Sequence, residues 1–159
     1  MGDVVEAIGT ALGRLHHLRD RTIAQVTALD RMALEPSAYV LLSTLISSGP
    51  LRSGALADEL MMDPSTVSRH VAQLVSRGLI ERQADPSDGR VSLLAATDTG
   101  RAKALRIRTR RNANLGSIVA DWPEAERAEF ARLLAKFVDG YETRRPAMLS
   151  AILTDKEQA

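Results

Sequence analysis

Cysteine is absent from this chain of 159 residues. That excludes disulfides, thiol redox sensing, thiol nucleophiles and every cysteine-based zinc site. Aromatic residues are scarce, with two Phe, two Tyr and one Trp, too few for the stacking platforms on which RNA is read. No apolar run approaches the roughly 20 residues that cross a bilayer. The opening stretch from Met1 to Asp20 mixes acids and bases and lacks the apolar block of a signal peptide, so a cytoplasmic chain with no membrane association is expected. Also missing are a glycine-rich phosphate loop, a GxSxG elbow, an HExxH pair and any cluster of histidines with acids. His16 and His17 are neighbours that point about 100° apart on a helix, and His16 with Asp20 fits a surface contact better than a metal pair. No enzyme activity, metal or cofactor is expected.

Apolar residues make up 45% of the chain and charged residues 26%, enough for a real core and too apolar for disorder. The net charge of +1 hides an uneven distribution. Residues 50–100 carry seven acids against five bases, whereas 101–111 (RAKALRIRTRR) carry six bases and no acid. Such a block on a helix is ordinarily a solvated face, and faces phosphates only where something nearby reads bases.

Residues 3–33 repeat apolar positions three and four apart (Val5, Ile8, Leu12, Leu15, Val26, Leu29, Ala33), a seam that seeks a partner helix. Pro36 sits where a first-turn proline is tolerated, and Ser47-Ser48-Gly49-Pro50 stops the helix that follows. A short helix begins at Ser53. Asp63-Pro64 ends it and caps the next, because an aspartate accepts from free first-turn amides and proline lacks the amide that would be orphaned. Val67, Val71, Leu74 and Val75 then share one face, and Gly78 closes the helix where a left-handed residue is needed. Leu79-Ile80 and Val91 to Leu94 flank a loop dense in turn residues, as in a hairpin with a long tip. Helical patterning resumes from Thr97 to Val119 and again through Phe130, Leu133, Leu134, Phe137, Val138 and Tyr141, with Pro146 expected to open a separate last segment.

Two short helices, a tight turn and a hairpin make a winged helix-turn-helix. The expected fold class is mainly α with a small β wing, divided into an N-terminal helix (1–34), the winged unit (35–100) and C-terminal helices (101–159). The side of the Pro64–Arg77 helix opposite its apolar face carries Ser65, Arg69, Gln73 and Ser76, with Thr66 and Ser68 at its edges and His70 beside it. Hydroxyls, an amide and a guanidinium with no acid among them can approach base edges and phosphates of double-stranded DNA. Ser53, Asp88 and Arg90 complete the candidate DNA-binding set.

Residues 53–100, and above all PSTVSRHVAQLVSRGLIERQADPSDGRVSLLAATDTG, resemble the DNA-binding domain of the multiple-antibiotic-resistance regulator (MarR) family. The wing pattern appears as Asp88, Arg90, Leu93, Leu94, Thr97 and Gly100, with Ala96 where the family generally carries leucine. The resemblance implies a homodimeric transcriptional regulator, most readily a repressor, on a pseudo-palindromic operator. It implies that the first and last long helices form the dimer and that Arg90 enters the minor groove. Asp88 is then expected to orient an arginine, Arg90 or Arg77, or simply to serve the turn. The resemblance also implies a pocket for a small aromatic or phenolic anion, for which Arg14, Arg19, Tyr39 and Met61 are the candidate liners. The alternative is an architectural or protein-contact module with low-specificity DNA binding and no effector, and the acid excess of residues 50–100 is the feature in its favour.

Overall fold

The computed structural model describes residues 2–30, 33–86, 88 and 92–157, the side chains of 152–157 excepted. Six helices and one two-stranded sheet follow in the order α1 (Gly2–Leu29), α2 (Pro36–Ser48), α3 (Ser53–Leu60), α4 (Pro64–Ser76), β1 (Ile80–Ala84), β2 (Ser92–Ala96), α5 (Asp98–Ile118) and α6 (Glu124–Glu157). This is the expected helical architecture with a small β wing. The chain divides into two compact units, 1–108 and 109–159, with the division falling inside α5. Among the described residues no helix is long and apolar enough to cross a membrane.

The core of the first unit grows from α2. Pro36 opens this helix at a position where its missing amide leaves nothing unsatisfied, and Ala38, Leu41, Leu42 and Leu45 line one fully buried stripe. Leu56 and Ala57 of α3, Val67, Val71 and Leu74 of α4, and Leu79, Ile80 and Leu94 of the wing pack into the same cluster. The α3 helix stops earlier than Asp63. Met61 adopts a left-handed conformation at φ 49°, and its amide turns back to the carbonyls of Ala57 and Asp58. Gly78 takes φ 65° just past α4, the role expected of it.

The wing pairs β1 and β2 antiparallel, with Ile80 opposite Ala96 and Ala84 opposite Ser92. A third segment joins it that the sequence reading missed. Leu51 exchanges both backbone hydrogen bonds with Leu94, at 3.1 and 2.8 Å, so the segment two residues before α3 is stitched to the hairpin.

The hairpin hands over to α5 through a tight corner. The Thr97 amide donates to the Leu79 carbonyl (3.1 Å), its hydroxyl donates to the Gly78 carbonyl (2.7 Å), and the same hydroxyl accepts from the Gly100 amide (3.0 Å). Thr97 thus caps α5 and clasps the end of α4 at once. Gly100 is required by contact rather than by φ, because a Cβ there would stand 2.0 Å from the Leu79 carbonyl oxygen.

The terminal helices bury little. α1 has no buried residue, and Val5, Ile8, Leu12 and Leu15 all face solvent. In the second unit Phe130, Leu133, Leu134, Phe137, Val138 and Tyr141 of α6 do likewise. Trp122 packs edge-on against Phe130, with centroids 5.5 Å apart and planes at 72°. Pro146 does not open a separate segment, as the sequence reading held. It lies inside α6, which continues to Glu157. One lost amide bond in a helix of 34 residues is outweighed by the turns on either side.

Gly100→Ala is expected to lower stability by about 1–3 kcal/mol, because the backbone it would strike cannot rotate away. Gly54→Ala, where a Cβ meets nothing within 4 Å, is the control and should leave the denaturant midpoint unchanged or slightly raised. Equal midpoints for the two variants would show that the corner yields freely.

Candidate nucleic-acid interface

Asp63 seats α4. Its Oδ1 accepts from the amides of Ser65 (2.7 Å) and Thr66 (3.3 Å) and from the Ser65 hydroxyl. The Ser65 hydroxyl, ahead of the two amides, holds the Asp63 carboxyl below the ordinary aspartate value. Ser65 therefore shares in the cap as well as standing at the exposed amino end of the helix. Ser68, Arg69 and Ser76 are exposed, and Thr66 and Gln73 are half-buried. The outer face of α4 thus presents hydroxyls, one amide and one guanidinium, and no carboxylate of its own.

His70 is a correction. It is 1% exposed, so its ring cannot reach a groove. The reason lies in the helical period. Positions 67, 70, 71 and 74 form the i, i+3, i+4, i+7 stripe that faces the core, and Val75, expected to be buried, stands 36% exposed at its edge. The Nδ1 of His70 is sealed from solvent with no hydrogen-bond partner among the described residues.

The Arg69 guanidinium lies 4.0 Å from the carboxylate of Glu35, the residue before α2. Arg77, at the end of α4, donates to the Ala33 carbonyl at 3.1 Å. Ser53 opens α3 on the surface, next to Arg52, whose guanidinium binds the carboxylate of Asp85, the residue after β1, at 2.9 Å. Asp85 thus orients Arg52, a pair the sequence reading passed over. Only the turn chemistry of Asp85 was visible in sequence, since Arg52 is 33 residues away. Asp88 is exposed, with its amide bonded to the Asp85 carbonyl (3.2 Å). Arg90 lies outside the described residues.

A separate cavity of about 330 Å³ opens between α2 and α5, lined by Tyr39, Ser43, Ile46 and Ser47 on one side and Arg101, Ala104, Leu105 and Arg108 on the other. Of the four candidate liners only Tyr39 is there. Arg14 and Arg19 belong to α1 and Met61 to the α3–α4 turn, and none of them lines this cavity. The missed residues were findable by period. Positions 39, 43, 46 and 47 share a face of α2, and Arg101 and Arg108 stand seven apart within the basic block.

A capped helix with an acid-free outer face, preceded by a short helix and a turn and followed by a β-hairpin, defines a winged helix-turn-helix DNA-binding transcriptional regulator. The MarR family model matches residues 34–92. The chain is 38% identical over 103 residues to YxaD of Bacillus subtilis, an HTH-type transcriptional regulator, covering 65% of this chain and 72% of YxaD. It belongs to the MarR family. It is also 26% identical over 116 residues to MdtR of Bacillus subtilis, an HTH-type transcriptional repressor, covering 73% of this chain and 75% of MdtR. Among solved structures it is similar to the PcaV transcriptional regulator of Streptomyces coelicolor in complex with its natural ligand. The TM-score is 0.58, the identity 26%, and the match covers 79% of this chain and 89% of PcaV.

The lowered Asp63 carboxyl gives a pH signature. Its folded value lies below the roughly 3.9 of an unfolded aspartate, so its contribution is complete above about pH 4 and is lost as pH falls through the folded value. Asp63→Asn keeps an acceptor for the amides but has no carboxyl to titrate. The Tm of wild type minus that of the variant should therefore fall on acidification below about pH 4. Two curves that stay parallel would place the cap elsewhere.

Proposed function

We propose that this regulator works as a homodimeric repressor in the cytoplasm, binding a pseudo-palindromic operator and leaving it when a small anion enters the cavity between α2 and α5. The observation that carries the reading is the outer face of α4, where Ser65, Ser68, Arg69 and Ser76 are exposed without a carboxylate between them. Arg69 forks onto a guanine edge, Ser65, Thr66 and Ser68 contact base edges or phosphates at the amino end, and Gln73 follows one turn behind. Ser53 and Asp88 lie at the flanks of the site, and Arg90 reaches the minor groove.

Exposed apolar stripes on α1 and α6 support the dimer, since stripes of this length are rarely left in water. Arg101 and Arg108 supply charge for an aromatic or phenolic anion, Ser43 and Ser47 supply hydroxyls, and Tyr39 and Ile46 supply apolar surface. The name of MdtR supports repression, and the ligand bound to PcaV supports an effector.

Selection of bound duplexes from a random pool, by wild type and Arg69→Ala at one salt concentration, tests the reading. Wild type should select inverted half-sites about one helical turn, roughly 10 base pairs, apart or a multiple of it. Arg69→Ala should lose about 1–3 kcal/mol on the selected site and flatten one position per half-site, while non-specific binding falls much less. An equal drop on all sequences would make Arg69 a phosphate contact. Uniform coating of any duplex by wild type would favour the architectural alternative.

Deleting residues 1–20 should give monomer or aggregate with no operator binding, measured by sedimentation and gel shift. A truncated chain that sediments as a stable dimer would remove α1 from the interface.

A further inference from the structure

Both arginines of the α4 region reach the same short segment before α2. Arg77 donates to the Ala33 carbonyl at 3.1 Å, and the Arg69 guanidinium lies 4.0 Å from the Glu35 carboxylate. Residues 33–35 are therefore tied to the end of α4, and Glu35 extends from that fixed base toward the middle of the helix. A short acid such as aspartate before a helix turns its carboxylate onto the first-turn amides. Glu35, on a longer stem, does not. It makes no side-chain cap bond to α2, only its carbonyl accepting from the Tyr39 amide at 3.0 Å. Its charge is thus left for Arg69.

We propose that Glu35 is a specificity-determining positioning residue, which holds the Arg69 guanidinium over the outer face of α4 and away from neighbouring phosphates. The proposal rests on the reading that Arg69 meets a base edge. An arginine free on its long stem takes whichever oxygen is nearest, and in duplex DNA the nearest are usually phosphate oxygens that carry no sequence information. A carboxylate beside it acts twice. It narrows the orientations of the guanidinium, and its own charge disfavours close approach of a phosphate to that spot. Both groups are exposed in the free protein, 69% for Arg69 and 48% for Glu35, so water screens the pair there. A duplex laid on the face displaces that water, and the same separation then counts for more. Glu35 thereby trades general affinity for discrimination at the base under Arg69.

The test is a double-mutant cycle on the full-length protein, with Glu35→Gln, Arg69→Ala and the pair. Each variant is read for affinity on a non-specific duplex and for base preference across a randomised half-site. Glu35→Gln should bind the non-specific duplex more tightly and lose roughly two- to five-fold of the preference at the Arg69 position, the scale of an exposed ion pair. In the Arg69→Ala background, Glu35→Gln should leave preference at that position untouched. A role in folding alone would move Tm and not the identity of one preferred base. Arg69→Ala that flattens the position while Glu35→Gln does not would overturn this proposal and leave the Arg69 reading standing. A Glu35→Gln effect on preference that persists undiminished without Arg69 would overturn it equally. No change of preference in Arg69→Ala would overturn both.

Discussion

The approach of Gly100 to the Leu79 carbonyl, locked by Thr97, is the constraint on which the winged unit depends. A single threonine joins the Gly78–Leu79 corner to the first turn of α5 through its amide and its hydroxyl. The end of α4, the return strand of the wing and the start of α5 therefore meet within a few residues. None of them can shift alone without opening one of these hydrogen bonds. The carboxyl end of α4 is thereby joined to the start of α5 at this corner, while Asp63 seats its amino end.

The acid excess of residues 50–100 looked unfavourable for a surface that meets phosphates. The structure disposes of it locally. Asp63 caps α4, Asp85 holds Arg52, Glu59 accepts from the Ser48 hydroxyl at 2.9 Å, and Asp98 sits in the first turn of α5 where the helix dipole favours it. These carboxylates stabilise turns and helix ends, and α4 contributes none of its own to its outer face, where the one beside Arg69 comes from Glu35. Net charge over a segment is thus a poor guide to the potential at one face of one helix.

Most of the winged unit was legible in the sequence because its signals are local. Pro36 at a first turn, Asp63-Pro64 at a cap and Gly78 beyond a helix each act within four residues, and each stands where its chemistry predicts. What escaped depends on partners distant in the chain or on the phase of a stripe. The Leu51–Leu94 bridge and the Arg52–Asp85 pair join residues more than 30 positions apart. On α4 the apolar positions pointed to a buried face that includes Val75 and leaves His70 outside it. The phase the fold adopts draws in the histidine and releases the valine, because burial of the whole stripe outweighs the polarity of one ring. Pro146 misled for the converse reason, since a breaker signal is local and a long helix extending on both sides overrides it. Of the cavity between α2 and α5, Tyr39 could be named early, but its arginines looked like part of a solvated basic block until the opposite wall was known.

The scarcity of aromatic residues leaves the molecule with well-separated optical labels. Trp122, the one tryptophan, lies in the second unit, edge-on to Phe130. Its emission therefore reports the surroundings of the turn before α6. In the first unit the single aromatic ring is Tyr39, at the wall of the cavity. Trp122 emission thus follows the second unit alone, whereas the tyrosine signal sums Tyr39 at the cavity with Tyr141 of α6, and a Tyr141→Phe variant would leave Tyr39 as the one tyrosine reporter.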